Sequence, residues 1–307
     1  MKKDIWTINN IEDLTGKIFL VTGANSGIGY EATKVFASKG ARVIMGCRNL
    51  DKAKMAKDEI IKEFPHALLD IIQLDLTSFK SIKEFSYKVN DKYSKLDVLL
   101  NNAGIMTVPY GSTEDGLELQ TGVNHFGHFY LTMSLASLVN KTPNSRIVSI
   151  ASIAHKYGNI KKETFHYEKD KSYSKIKAYS QSKLANLLFI YKLKEKLEKQ
   201  NSTIKVLAAH PGVSSTNLGH HIKRGSVKWI QRVLSFTTQT QDRGALPGIR
   251  ACTDKNAISG QYYGPSSLFE FRGDPVVVKS TKRSHSKDLQ NMLWTESVRI
   301  TRLDLHL

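Results

Sequence analysis

A short apolar run, Ile18-Phe19-Leu20-Val21, ends abruptly in Thr22-Gly23-Ala24-Asn25-Ser26-Gly27-Ile28-Gly29, and a helical pattern follows from about Ile28 to Ser38 until Gly40. The unit then recurs. Ala41-Arg42-Val43-Ile44-Met45 reads as a second buried strand, and Asp51 to Phe64 as a helix stopped by Pro65. Leu68 to Leu74 and Leu96 to Leu100 are further strands with a helix between them around Ser81–Val89. Arg146 to Ile150 and Ile204 to Ala208 repeat the theme. Strands this apolar need cover on both faces, which intervening helices supply. With right-handed crossovers the pattern predicts an α/β chain, doubly wound, with a mainly parallel sheet flanked by helices. No Gly/Ser/Pro tract or internal repeat divides residues 1–307, so a single domain is expected.

The glycine-rich turn narrows the fold to a Rossmann-type one. Gly23, Gly27 and Gly29 follow G-x-x-x-G-x-G rather than G-x-G-x-x-G, yet the physical demands are shared: a sharp strand-to-helix turn, close backbone approach to a pyrophosphate, and a helix N-terminus facing it. The alternative is a glycine-rich turn that binds nothing; the strand before it and the helix after it favour phosphate. The second strand ends in Met45-Gly46-Cys47-Arg48-Asn49. An NAD site would place an acid there, roughly 20 residues beyond the glycines, on the ribose 2′-hydroxyl. Arg48 instead offers a guanidinium fork to a 2′-phosphate, so NADP(H) is expected over NAD(H), unless Arg48 is only a solvated loop residue. Asp75, after the third strand, is placed to accept a hydrogen bond from adenine or to begin a helix.

Composition excludes other classes. Apolar residues make up 40% and charged residues 24% of the chain, which suits a globular enzyme. Cys47 and Cys252 give neither a disulfide framework nor a zinc cluster, and His125 and His128, with no acid or cysteine nearby, read as packing or surface residues; no metal site is expected. The net charge is +17, but its lysines are dispersed among acids and no nucleic-acid motif accompanies them. A basic surface that attracts an anionic cofactor, or touches lipid peripherally, is favoured over dedicated nucleic-acid binding. No apolar run approaches the ~18–20 residues of a membrane span, and Met1-Lys2-Lys3-Asp4-Ile5-Trp6 lacks a secretory core, so no transmembrane anchor and a cytoplasmic location are expected.

Tyr179 and Lys183, four apart, share one helix face. Ser152 lies upstream. A lone Tyr-x3-Lys means little, but with the phosphate loop the three describe a hydride-transfer site. Over essentially its whole length the chain resembles a short-chain dehydrogenase/reductase. Thr22-Gly23-x3-Gly27-Ile28-Gly29, Asn101-Asn102-Ala103-Gly104, Asn124, Ser152, Tyr179-x3-Lys183 and Pro211-Gly212 occur in the family's order. Asn124-His125-Phe126-Gly127-His128-Phe129, Ser182-Lys183-Leu184-Ala185-Asn186 and His210-Pro211-Gly212-Val213 resemble the retinol-dehydrogenase-like branch. Ser149-Ile150-Ala151-Ser152 departs from it in lacking an adjacent serine pair.

The resemblance implies a catalytic tetrad of Asn124, Ser152, Tyr179 and Lys183. Tyrosine ionises near pH ~10, so it needs the positive charge of Lys183 to exchange a proton near neutrality. Ser152 would hold the substrate oxygen, and Asn124 would bind a backbone carbonyl or water and link the lysine to a proton relay. Implied cofactor contacts are Gly23, Asn25, Ser26, Gly27, Ile28 and Gly29 of the loop, then Arg48, Asp75 and Leu76. Asn102, Ala103 and Gly104 follow, with Tyr179 and Lys183, and finally Pro211, Gly212, Val213 and Thr216. Asn101 and Ser149 read as structural.

These features describe an NADP(H)-dependent oxidoreductase acting on a ketone or aldehyde, or the corresponding alcohol, of a hydrophobic molecule such as a retinoid-like one. Segments 155–177 and 214–243, the latter with a short helix around Trp229–Leu234, are expected to line the substrate cleft. Trp229 and Phe236 serve the substrate or ordinary packing. The alternatives are a reductase of an activated C=C bond and a non-catalytic NADP(H) sensor. Leu184, Leu187, Leu188 and Tyr191 could form a homodimer or homotetramer face, or cover the chain's own sheet.

Overall fold

Period-two alternation in β1 (Ile18–Thr22) sends Leu20 to one face of the sheet and Phe19 and Val21 to the other. The same division holds in β2 (Arg42–Cys47), where Ile44 opposes Val43 and Met45. Both faces are apolar, so helices must cover both. This is a computed structural model, and it describes residues 5–166, 173–213, 239–267 and 269–307. Thr216, Trp229, Phe236 and the expected helix at 229–234 therefore lie outside the described residues, as do 167–172.

The remaining strands are β3 (Leu68–Gln73), β4 (Val98–Asn101), β5 (Arg146–Ile150), β6 (Lys205–Ala209), β7 (Tyr262–Ser267) and β8 (Arg272–Val278). They form one sheet in the order β3-β2-β1-β4-β5-β6-β7-β8. All neighbours are parallel except β7 and β8. β1 lies between β2 and β4, so successive crossovers leave it in opposite directions. That reversal opens a crevice beyond the C-terminal strand ends.

One face carries α1 (Gly27–Ser38), α2 (Leu50–Glu63) and α7 (Gln241–Thr253), through Phe36, Ile60 and Ile249. The other carries α3 (Phe79–Lys92), α5 (His128–Asn140), α6 (Lys175–Lys199) and α8 (Lys287–Thr301), through Phe85, Leu135, Leu187 and Trp294. The short α4 (Leu119–Thr121) runs through a π-helical stretch, Gly122–Gly127, into α5. Asn49, Ser78, Ser174 and Ser286 cap α2, α3, α6 and α8 by accepting backbone N–H groups, each worth ~1 kcal/mol. Among the described residues no helix is long and apolar enough to cross a membrane.

Several expectations need correction. The sheet has two strands more than the six expected, because β7 and β8 carry glycine, proline and polar residues. Helix α6 begins at Lys175, capped by Ser174, and not beyond Lys177. The described part of the 155–177 excursion is pinned down by buried Ile160 and Phe165. Leu184, Leu187 and Leu188 are each 0% exposed within one chain. Those three are spent within the chain, the second of the two readings open for them, while Tyr191 is part-exposed. Of the two readings open for His125 and His128, packing holds, because both are interior.

Candidate functional site

The glycine turn brings backbone closer together than any side chain would allow. Gly23 and Gly27 have φ of +66° and +59°, the left-handed region that glycine occupies without a Cβ penalty. A Cβ at Gly29 would run into the Gly23 carbonyl and the Asn102 side-chain amide. Ser26 occupies the N-cap of α1 but makes no side-chain capping bond, so its hydroxyl and the first N–H groups of the helix, at Gly27, Ile28 and Gly29, have no helical partner. Asn25 and Ile28 are part-exposed beside them. Beneath the turn, burial pushes the Cys47 thiol up to about 11, against the opposing effect of N–H groups from Ala24 and Asn25. Cys47 is thus an inert prop that spacing could not reveal.

Arg48 is exposed at the end of β2, next to this turn. Asp75 stands half-buried after β3, where its Oδ1 accepts from the Thr77 N–H at 2.9 Å and hydroxyl at 2.8 Å. Leu76 is buried, with its carbonyl against Gly127.

Thr22 joins the turn to the end of β4. Its Oγ1 accepts the N–H groups of Asn102 and Ala103, both at 2.9 Å, while Asn102 Nδ2 donates to the Thr22 carbonyl at 2.8 Å. Asn101 points inward and donates to Thr132 Oγ1 at 2.9 Å, a structural position. Gly104 follows in a gap where a Cβ would stand 3.1 Å from Asn124 Oδ1 and 3.4 Å from Lys183 Nζ.

Helix α6 stacks Tyr179 one turn from Lys183, whose Nζ lies 5.8 Å from the tyrosine ring centroid. Lys183 is 4% exposed and donates to the Ile150 carbonyl at 2.9 Å. Burial lowers its pKa from 10.5 to about 8. Tyr179 is raised above its ordinary value by burial, and a hydrogen bond from Ser152 opposes that rise. Ser152 Oγ accepts the Ala154 N–H at 3.2 Å. Ser149, by contrast, sits 1% exposed within β5.

Asn124 lies in the π-helical stretch, a wider turn than the α-helix allows. Its side chain grips Ile105 twice: Oδ1 accepts the Ile105 N–H and Nδ2 donates to the Ile105 carbonyl, each at 2.9 Å. Nδ2 also donates to Ser182 Oγ at 2.9 Å. The expected backbone-carbonyl contact is therefore Ile105; a direct Asn124–Lys183 bond is not formed.

Two positioning groups had no assigned role in the sequence. Ser182 anchors Asn124 and donates to the Tyr179 carbonyl at 2.8 Å. His155 donates through Nδ1 to the Ser152 carbonyl at 2.6 Å, and Nε2 accepts the Thr281 N–H at 3.3 Å. Burial brings His155 down to about 4, so this bond is made by neutral imidazole. Its three-residue spacing from Ser152 was the available signal.

Pro211, Gly212 and Val213 close the far side. Gly212 has φ +67°, and a Cβ there would strike the Phe271 carbonyl. Gln239 Nε2 donates to the Pro211 carbonyl at 2.6 Å, and the Val213 N–H donates to Phe271 O at 2.9 Å.

A glycine-lined turn at the end of β1 and a tyrosine–lysine pair beside the end of β5, the lysine buried and the tyrosine half-buried, form the arrangement expected of an oxidoreductase that works through a dinucleotide. A family model described as short chain dehydrogenase matches residues 17–226. Retinol dehydrogenase 14 of Mus musculus is 41% identical over 263 residues, covering 81% of this chain and 78% of that protein. The chloroplastic short-chain dehydrogenase TIC 32 B of Brassica napus is 38% identical over 313 residues, covering 97% and 95%. A crystal structure of an uncharacterised Mycobacterium paratuberculosis protein superposes with a TM-score of 0.82 at 34% identity, covering 99% and 100%. The chain belongs to the short-chain dehydrogenase family, in its retinol-dehydrogenase-like part, and NAD(P)(H)-linked hydride transfer is that family's chemistry.

Proposed function

We propose that this protein is an NADP(H)-dependent oxidoreductase that interconverts an alcohol and an aldehyde or ketone of a hydrophobic small molecule, in the cytoplasm. The observation that carries the reading is Lys183, buried without a carboxylate partner among the described residues and one turn from Tyr179. A buried unpaired ammonium is costly, and catalysis is the common reason to keep one. The residues fit a dinucleotide: glycines hold the cradle open and the α1 N-terminus faces it.

When bound, the nicotinamide supplies or accepts a hydride at its C4. Ser152 donates a hydrogen bond to the substrate oxygen. Tyr179 gives that oxygen a proton in reduction and takes it in oxidation. The Lys183 charge lowers the cost of the phenolate left behind. Asn124 keeps the Ile105 turn in place beside the lysine. Arg48, exposed at the end of β2, pairs with the 2′-phosphate and sets NADP(H) over NAD(H). Apolar Ile105, Met106 and Ile153 directly follow Gly104 and Ser152, and relatives named retinol dehydrogenases support a hydrophobic alcohol or aldehyde.

The test is loss of NADPH absorbance with retinal, medium-chain aldehydes, quinones and aromatic ketones, with NADH and Tyr179→Phe as controls. Tyr179→Phe should bind NADPH and lose turnover by ~10²–10⁴-fold. Undiminished turnover in that variant would remove Tyr179 from the chemistry.

A further inference from the structure

His128 opens α5, four residues after Asn124, and is 2% exposed. Its Nδ1 lies 3.0 Å from the Asn124 carbonyl and its Nε2 lies 2.9 Å from Thr22 Oγ1. A carbonyl can only accept, so Nδ1 carries the hydrogen. Burial, partly opposed by that same carbonyl bond, brings the imidazole down to about 4. The ring is therefore neutral at ordinary pH, and Nε2 presents a lone pair. Thr22 Oγ1 already accepts from Asn102 and Ala103. Its hydrogen is free for Nε2, with the next acceptor, the Leu100 carbonyl, at a longer 3.5 Å. Along this relay, from the Asn124 carbonyl through the ring to Thr22, each donor and acceptor has its role fixed by its neighbour.

The consequence is a bridge between two halves of the site. Thr22 begins the glycine turn and holds the Asn102–Ala103 turn; Asn124 holds Ile105, on the other side of Gly104. The main-chain N–H of His128 bonds the His125 carbonyl, so the side chain alone makes its link to Asn124. We propose that His128 is a positioning residue for the reaction: through one neutral ring it sets the cofactor-side turn at Thr22 against the catalytic asparagine. The inference rests on the cofactor reading proposed above.

The two arms can be separated chemically. In His128→Asn the shorter amide reaches the position of Nδ1 and can donate to the Asn124 carbonyl, but it falls short of Thr22. In His128→Gln the amide oxygen reaches the position of Nε2 and can accept from Thr22, leaving the Asn124 carbonyl behind. One buried hydrogen bond corresponds to about a tenfold change in an equilibrium or rate. In His128→Asn the NADPH dissociation constant, from fluorescence titration, should rise about tenfold, more than kcat falls. In His128→Gln the order should reverse, with faster hydrogen exchange at the Ile105 amide, which Asn124 holds. Equal losses of kcat and affinity in both variants, or a lowered melting temperature with neither changed, would overturn the proposal. If the wild-type protein does not bind NADPH, the cofactor reading fails instead. Ile105 exchange still decides the arm to Asn124: equal protection in both variants refutes it.

Discussion

Removing the lysine that the proposed chemistry needs should make this protein more stable. Lys183 is 4% exposed, and burial alone takes its pKa from 10.5 to about 8. At ~1.4 kcal/mol per pH unit, that depression corresponds to ~3 kcal/mol of cost for holding the charge inside. Below about pH 8 the group is protonated in both folded and unfolded chains, and the whole cost is present. Between about 8 and 10.5 the unfolded chain keeps a proton that the folded chain has released, so wild-type stability rises with pH across that window. Above it the cost is gone. Lys183→Met preserves the apolar stem, and the Ile150 carbonyl keeps its bond from Asn186 Nδ2 at 3.1 Å, so no buried acceptor is orphaned. The lost Nζ bond offsets ~1 kcal/mol. Urea unfolding of the cofactor-free proteins should therefore find Lys183→Met ~2 kcal/mol more stable at pH 7, with the difference falling through zero as pH rises toward 10.5 and then favouring wild type by up to ~1 kcal/mol, the lost Nζ bond. A variant less stable than wild type at pH 7, or a difference that does not change with pH, would refute the account of the lysine as an uncompensated buried cation.

Arg48→Ala should weaken NADPH by ~10–100-fold and leave NADH nearly untouched, because only the 2′-phosphate loses a charge-assisted partner; equal losses for both nucleotides in fluorescence titration would move Arg48 out of that role. Gly29→Ala should lower stability by ~2 kcal/mol or more and abolish the rise in melting temperature that NADPH gives, since its Cβ meets the Gly23 carbonyl as well as the Asn102 amide, and the backbone atom cannot swing aside. Gly16→Ala is the control: its φ is +76° with nothing within 4 Å of the new Cβ, so only ~1 kcal/mol of strain is expected.

The parts of this fold that announce themselves in the chain are those where local physics and tertiary role agree. β1, β2, β4, β5 and β6 are buried on both faces and read as apolar runs; Tyr179 and Lys183 are four apart because one helical turn brings them together. β7 and β8 escape such a reading because they close the sheet at its edge. There the ladder tolerates Pro265 opposite Pro275, and β8 is only intermittently buried. Helix α5 is hidden for the opposite reason. It is apolar around most of its circumference, wedged between the sheet and its neighbours, so no amphipathic stripe marks it. The site divides along the same line. Its chemistry sits in short motifs, but their mutual placement depends on hydrogen bonds spanning 80 residues from Thr22 to Asn102 and 106 from Thr22 to His128. A buried histidine that is neutral, doubly bonded and far from any acid has the same signature in the chain as a packing residue. What separates the two is which atoms its ring nitrogens meet, and those contacts exist only once β1, the end of β4 and the π-helical turn have been brought to the same point.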